Sequence, residues 1–289
     1  MRVTTGAVYT SNFIPKANLK VMAGTLGLWK FNSQTANDSS ANSNHGSLVG
    51  CASYLLDTPS GIPATSNYSL ALTGDPNYPT NPPTAYINVP SNPSINLTGP
   101  FTVEAWVKTK SPSTPQQGIA ERYNSVPGVV DGGFAIRLVG GKIQFWSMKN
   151  GWDLADGILG NTVLDCRWHH VAGVFDGNYL RIYLDGVQDA VKPSTYAPGA
   201  GTASIKIGAR GDDAGYLFNG WIDEVRVTAG VVYPNGTSFT PQPHLTTLSG
   251  TIGLWKFDNQ NFNDSSANGN HGASFTGNAT GNRLLYIAP

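Results

Sequence analysis

The stretch NDSSANSNHG places Asn37, Asp38, Ser39, Ser40, Asn42 and Asn44 in one loop behind a short apolar run. Ca²⁺ takes about six to eight oxygen ligands from carboxylates, amides and carbonyls, and such a loop supplies them densely. The same residue types also close Asx turns through side-chain-to-backbone hydrogen bonds, so a self-locked loop is the competing reading. His45 suits packing or hydrogen bonding better than ligation, because Ca²⁺ disfavours nitrogen. Catalytic chemistry is poorly provided for. The three glutamates, Glu104, Glu121 and Glu224, lie far apart in sequence, whereas glycoside hydrolysis needs two carboxyls about 5–9.5 Å apart. An aspartate pair stays open. His169 and His170 are adjacent, so on a strand they point to opposite faces and do not grip one ion together.

Aromatic residues carry a second chemistry. Trp29, Trp106 and Trp168 sit in strand patterns and are expected in the core. Trp146 and Trp152 flank the polar turn of FWSMKNGWDLADG and are expected at the surface, where flat rings can stack on the C–H faces of sugars. Arg122, Tyr123, Asp153, Asp212 and Tyr216 fall in loops that can join them. Packing at the rim of the fold is the alternative for all seven.

The elements that must position these residues are strands. Runs such as FTVEAWVKT, GFAIRLV, GKIQFWSM, HHVAGVF and LRIYLDG alternate or mass β-branched and aromatic residues between Gly, Pro and Asp, without a sustained helical period. The chain reads as all-β. With 18 basic and 18 acidic residues the net charge is zero, which disfavours nucleic-acid binding. No apolar run approaches the length that spans or inserts into a membrane. The opening MRVTTGAVYTSN has no apolar h-region, so no signal peptide is visible. Cys51 and Cys166 are too few for a disulfide scaffold, and a bridge or two thiols are both compatible with the pattern.

The chain also repeats itself. GTLGLWKF…NDSSANSNHG from Gly24 returns as GTIGLWKF…NDSSANGNHG from Gly250, an offset of 226, and RVTTGAVY (2–9) returns as RVTAGVVY (226–233) at 224. A repeat this long marks tandem modules and not a solenoid. Residues 1–23 then read as the last strand and linker of a preceding module, 24–234 as a complete module, 235–249 as a linker, and 250–289 as the opening of a further one. Such stubs cannot bury Leu254, Trp255 and Phe257 alone. Either they pair head-to-tail between copies, the 251–257 strand on RVTTGAVY of the next, or they fold back on their own module.

GLWKF…NDSSANSNHGSL, FTVEAWVKT, RWHHVAGVFDGNYLRIYLDG, IKIGAR and FNGWIDEVRV, in this order, resemble the laminin-G-like modules of the concanavalin A-like superfamily. The resemblance covers roughly 24–233. It implies a two-sheet antiparallel jelly-roll sandwich whose first and last strands, TLGLWKF and IDEVRVT, lie side by side. It also implies a structural Ca²⁺ with Asp38, Asn44, His45 and Asp223 around it, Glu224 alternating to the opposite side of its strand. The linker VYTSNFIP is similar to those between such modules in bacteriophage virion proteins. Two functions follow as expectations: a non-catalytic surface module binding a glycan or other surface ligand, or a structural protein that decorates a particle or self-associates through residues 1–23 and 250–289. Either belongs outside the cell or on a virion surface.

Overall fold

The computed structural model describes residues 1–9, 11–13, 19–30, 36–46, 69–72, 86–125, 131–149, 157–212, 215–258, 261–275 and 285–287. The chain divides into two compact units, Met1–Pro63 and Ala64–Pro289. In the first, β1 (Arg2–Thr4) and β2 (Thr25–Leu28) form a two-stranded antiparallel sheet.

The second unit is a sandwich of two antiparallel sheets. Its strands are β3 (Ser69–Leu72), β4 (Tyr86–Val89), β5 (Phe101–Thr109), β6 (Gln116–Arg122), β7 (Gly133–Val139), β8 (Lys142–Met148), β9 (Ile158–Val163), β10 (His169–Phe175), β11 (Tyr179–Leu184), β12 (Val187–Pro193), β13 (Ile205–Ile207), β14 (Gly220–Ala229), β15 (Thr251–Trp255), β16 (Ala273–Phe275) and β17 (Leu285–Ile287). One sheet runs β12-β11-β10-β5-β14-β3-β17, with β15 on β14; the other runs β16-β4-β13-β6-β7-β8-β9. The alternating strand pattern is what permits this, because every second side chain can enter a shared core. Phe101 of one sheet meets Phe134 and Phe145 of the other, 5.8 Å from each, and Phe175 beside it in its own sheet at 6.1 Å.

The strand GLWKF pairs differently from expectation. β2 does not lie on β14. It pairs with β1, Arg2 opposite Leu28, while β15 pairs with β14, Arg226 opposite Leu254. Both ladders carry a bulge at the same place. The reason is chain connectivity: each RVT meets its GLW after a short linker, at far smaller loop-closure cost than a pairing across two hundred residues. β15 therefore pairs within its own chain.

The tryptophans also redistribute. Trp29, Trp106 and Trp168 are half-buried, whereas Trp255 is fully buried in the main core beside Ile252 and Phe257. Trp106 lies on the outer side of its sheet, where its indole N–H donates to Gln242 O at 2.9 Å. There the segment after β14 folds over Glu104, which accepts from Arg226 Nη2 at 2.6 Å and Tyr233 OH at 2.6 Å and meets His170 Nε2 at 3.0 Å. Tyr233 and Phe239 stack at 3.7 Å, and both meet the His170 ring edge-on. His170 is thus buried by this linker and not by the sandwich core. His169 points the other way, to Asp185 and Asp165. Cys166 is disulfide-bonded, and Cys51 lies outside the described residues.

Candidate functional site

The residues of β6, β7 and β8 that alternate away from the core stand together on the outer face of the second sheet. Arg137 Nη2 donates to Glu121 Oε2 at 2.7 Å and to the Tyr123 hydroxyl at 3.1 Å. Its guanidinium lies over the Trp146 ring at 4.7 Å. Glu121 Oε2 also accepts the Gly211 N–H at 3.0 Å. Burial raises the Glu121 carboxyl above the usual range against the pull of Arg137. Burial, with the Glu121 charge added, likewise lifts the Tyr123 phenol. Glu121 Oε1 and Arg137 Nε are buried without a hydrogen-bond partner, a state that costs about 1–3 kcal/mol per atom, more where charge is involved.

The segment after β13 carries this network outward. Arg210 Nε donates to the Tyr123 hydroxyl at 3.1 Å and Nη2 to Asp212 Oδ2 at 2.8 Å. Asp212 also accepts from Tyr123 and Ser125. The Arg210 guanidinium lies 5.3 Å from the centre of the Tyr216 ring, and Tyr216 holds a left-handed φ of 47°. Arg210 and Tyr216 remain half-buried, so a guanidinium and a flat ring reach the surface beside a carboxylate.

Of the seven expected ligand residues, Tyr123, Trp146, Asp212 and Tyr216 come together. Trp146 and Tyr123 are nevertheless buried, at 4% and 1% exposure. Glycine is the cause: a Cβ on Gly157 would sit 2.0 Å from Trp146 Nε1, and one on Gly211 2.6 Å from Tyr123 Cδ1, so backbone lies directly against both rings. They form a floor, not an open stacking platform. Arg122 stands apart from this network. Fully buried, it donates to Gly132 O at 2.8 Å and Gly201 O at 2.9 Å, and to Asn96 Oδ1, stapling three loops. Trp152 and Asp153 lie outside the described residues. Sequence reading missed Glu121, Arg137 and Arg210. The signal was there for Arg137, the one charge in the apolar alternation GFAIRLV.

The oxygen-rich loop is locked from within. Asp38 accepts from Leu28 N at 2.7 Å, Ser40 N at 2.8 Å, Ser40 Oγ at 2.6 Å and Asn44 N at 3.1 Å. The Leu28 amide foremost, then the Ser40 hydroxyl, hold its carboxyl well below the usual range. Asp38 N–H donates to His45 Nδ1 at 3.2 Å, and the Asn44 amide donates to Leu26 O at 2.7 Å. Asp264 repeats the arrangement with Leu254, Ser266 and Asn270. Donors filling both carboxylate oxygens do not fit Asp38 as a cation ligand, and Asp38 and Asp223 belong to different units.

Asp223 sits at a bulge instead. β14 slips against β5 between Asp223 and Arg226, and Glu224 takes a φ of 51°. That breaks the expected alternation and brings Glu224 into the electrostatic reach of Asp223 and Asp258. Glu224, His244 and Asp258 offer ligand atoms within 4.8 Å of one another. Burial first, and the Glu224 charge second, push the Asp223 carboxyl up to about 8.

Residues 80–234, which include β4 to β14 and the outer-face cluster, match the family profile Laminin_G_3 of the concanavalin A-like lectin/glucanases superfamily. The chain belongs to this superfamily. Among solved structures, the concanavalin A-like chain is similar to a candidate carbohydrate-binding protein from Bacteroides ovatus, at 17% identity and a TM-score of 0.50, over 72% of this chain and 60% of that one. That is a likeness of fold, and the chain spans less than two thirds of that relative. It also matches a CBM40 from a Ruminococcus gnavus sialidase (13% identity, TM-score 0.44, 58% and 94% covered). A further match is domain 4 of a Geobacillus stearothermophilus arabinanase, solved with arabinotriose (20%, 0.40, 71% and 92%). No curated protein matches the chain. Among the described residues no helix is long and apolar enough to cross a membrane.

Proposed function

We propose that this concanavalin A-like chain is a non-catalytic carbohydrate-binding module, acting outside the cell or on a particle surface, whose glycan site is the Arg210–Asp212–Tyr216 rim. The rim's chemistry supports this reading. A sugar presents apolar C–H faces and paired hydroxyls, which a flat ring beside a carboxylate–guanidinium pair can engage. The buried Glu121–Arg137–Tyr123 layer fixes those groups from behind, as a preorganised site requires. Non-catalysis is supported by the glutamates, each already held: Glu104 by Arg226, Glu121 by Arg137 and Glu224 by Leu245 N–H. A glycan array tests the proposal. Wild-type chain should give hits that Tyr216→Ala loses, and hits indifferent to Tyr216 and Asp212 would relocate the site.

Calcium belongs to the same proposal, at the Asp223–Glu224–Asp258 corner and not at Asp38. Carboxylate oxygens suit that ion, and a cation there offsets the Glu224 and Asp258 charges that add to burial in raising Asp223. A second reading, a virion-decorating, tail or filament protein, is supported by the duplicated hairpin, one copy of which is exposed.

A further inference from the structure

Among the described residues the chain carries two copies of one hairpin but a single sandwich body to receive them. The described residues of 1–46 repeat the characteristic bonds of those in 225–272. Arg2 Nη1 donates to Lys20 O as Arg226 Nη1 does to Thr246 O. Trp29 Nε1 donates to Asn44 O and Trp255 Nε1 to Asn270 O, both at 2.9 Å. Tyr9 stacks on Phe13 at 3.6 Å as Tyr233 does on Phe239.

What differs is the cover. Val227 and Ile252 are 0% and 9% exposed, while their counterparts Val3 and Leu26 are 43% and 48% exposed. In the second unit Arg226 and Tyr233 clasp Glu104 of β5. Arg2 and Tyr9 face no carboxylate among the described residues. In its place is a cleft of about 400 Å³ lined by Arg2, Val8, Tyr9, Leu19, Lys20 and Met22.

We propose that residues 1–46 close a second laminin-G-like body, one that lacks its own closing hairpin. β1 adds to the strand equivalent to β5, and the glutamate of that strand enters between Arg2 and Tyr9. The seated hairpin of the second unit identifies this occupant. Exchange with another intact copy gains nothing, since it frees one hairpin for each that it seats. The partner must therefore be a body left open.

The test opens a body inside the full-length chain. Val225→Asp with Val227→Asp disables the seated hairpin on β14, the strand that occupies β5, and Val3→Cys with Val103→Cys reports docking, because Val103 lies opposite Val227, the counterpart of Val3. Disulfide yield, mapped by peptide mass spectrometry, should rise at least tenfold over the same cysteine pair in a chain with the hairpin intact. No rise in a chain that keeps its strand circular dichroism overturns the proposal. If that chain is insoluble, Val225→Ala with Val227→Ala replaces the disabling pair, with at least a threefold rise expected and equal yields overturning it. Arg2→Ser should abolish the rise, and a rise that survives it overturns the role given to the glutamate.

Discussion

Replacing Asp264 with alanine removes the acceptor of four hydrogen bonds: Leu254 N–H at 2.9 Å, Ser266 N–H at 2.7 Å, Ser266 Oγ at 2.6 Å and Asn270 N–H at 2.9 Å. The Leu254 and Asn270 bonds are buried, so each bare donor costs about 1–3 kcal/mol, whereas the Ser266 groups can turn to water. The sum is about 4 kcal/mol, and it falls on β15, the strand that delivers Ile252 and Trp255 to the core. For a unit of this size, about 2–4 °C is lost per kcal/mol, so the main melting transition should fall by about 8–16 °C. Asp264→Asn, which keeps one acceptor oxygen, should lose roughly half as much. Asp38→Ala breaks the same set of bonds in the first unit and should leave that transition in place. Differential scanning calorimetry of the three variants decides the matter. Equal shifts for Asp38→Ala and Asp264→Ala, or a negligible shift for the latter, would refute the reasoning.

Trp255→Ala should destabilise the second unit by about 3–5 kcal/mol in urea titration, and Trp29→Ala should leave its midpoint unchanged; comparable losses would contradict the unequal seating of the hairpins. The Asp223 carboxyl, at about 8 in the folded chain against 3.8 ordinarily, holds a proton that the unfolded chain releases. Its contribution is therefore present at low pH and lost as pH rises from about 4 to about 8. Melting temperature should decline across that window and Asp223→Asn should flatten the decline; parallel curves would remove the argument. Added Ca²⁺ should raise the melting temperature by mass action at pH 8 and do less in Glu224→Gln, and a chelator without effect on the wild type speaks against the ion.

The fold was legible because period-two patterning and ordered motifs are local properties of the strands. The repeat was equally legible, but its pairing was not. GLWKF reads the same at either end, and only linker length decides which RVT it meets. Burial was read less well where glycine acts at a distance. Nothing in FWSMKNGWDLADG says that Gly157 will lie over Trp146. The bulge at Glu224 was likewise invisible, since a left-handed glutamate follows no sequence rule. Asp38 showed the right residue types for two outcomes, and the backbone amides of Leu28 and Asn44, which chose between them, carry no signature in the sequence.

A crystal structure of the chain soaked with the oligosaccharide that an array selects tests the central claim most directly. The account predicts a sugar ring against Tyr216, with hydroxyls on Asp212 and Arg210. Sugar density elsewhere on the sandwich, with this rim bare, would contradict it.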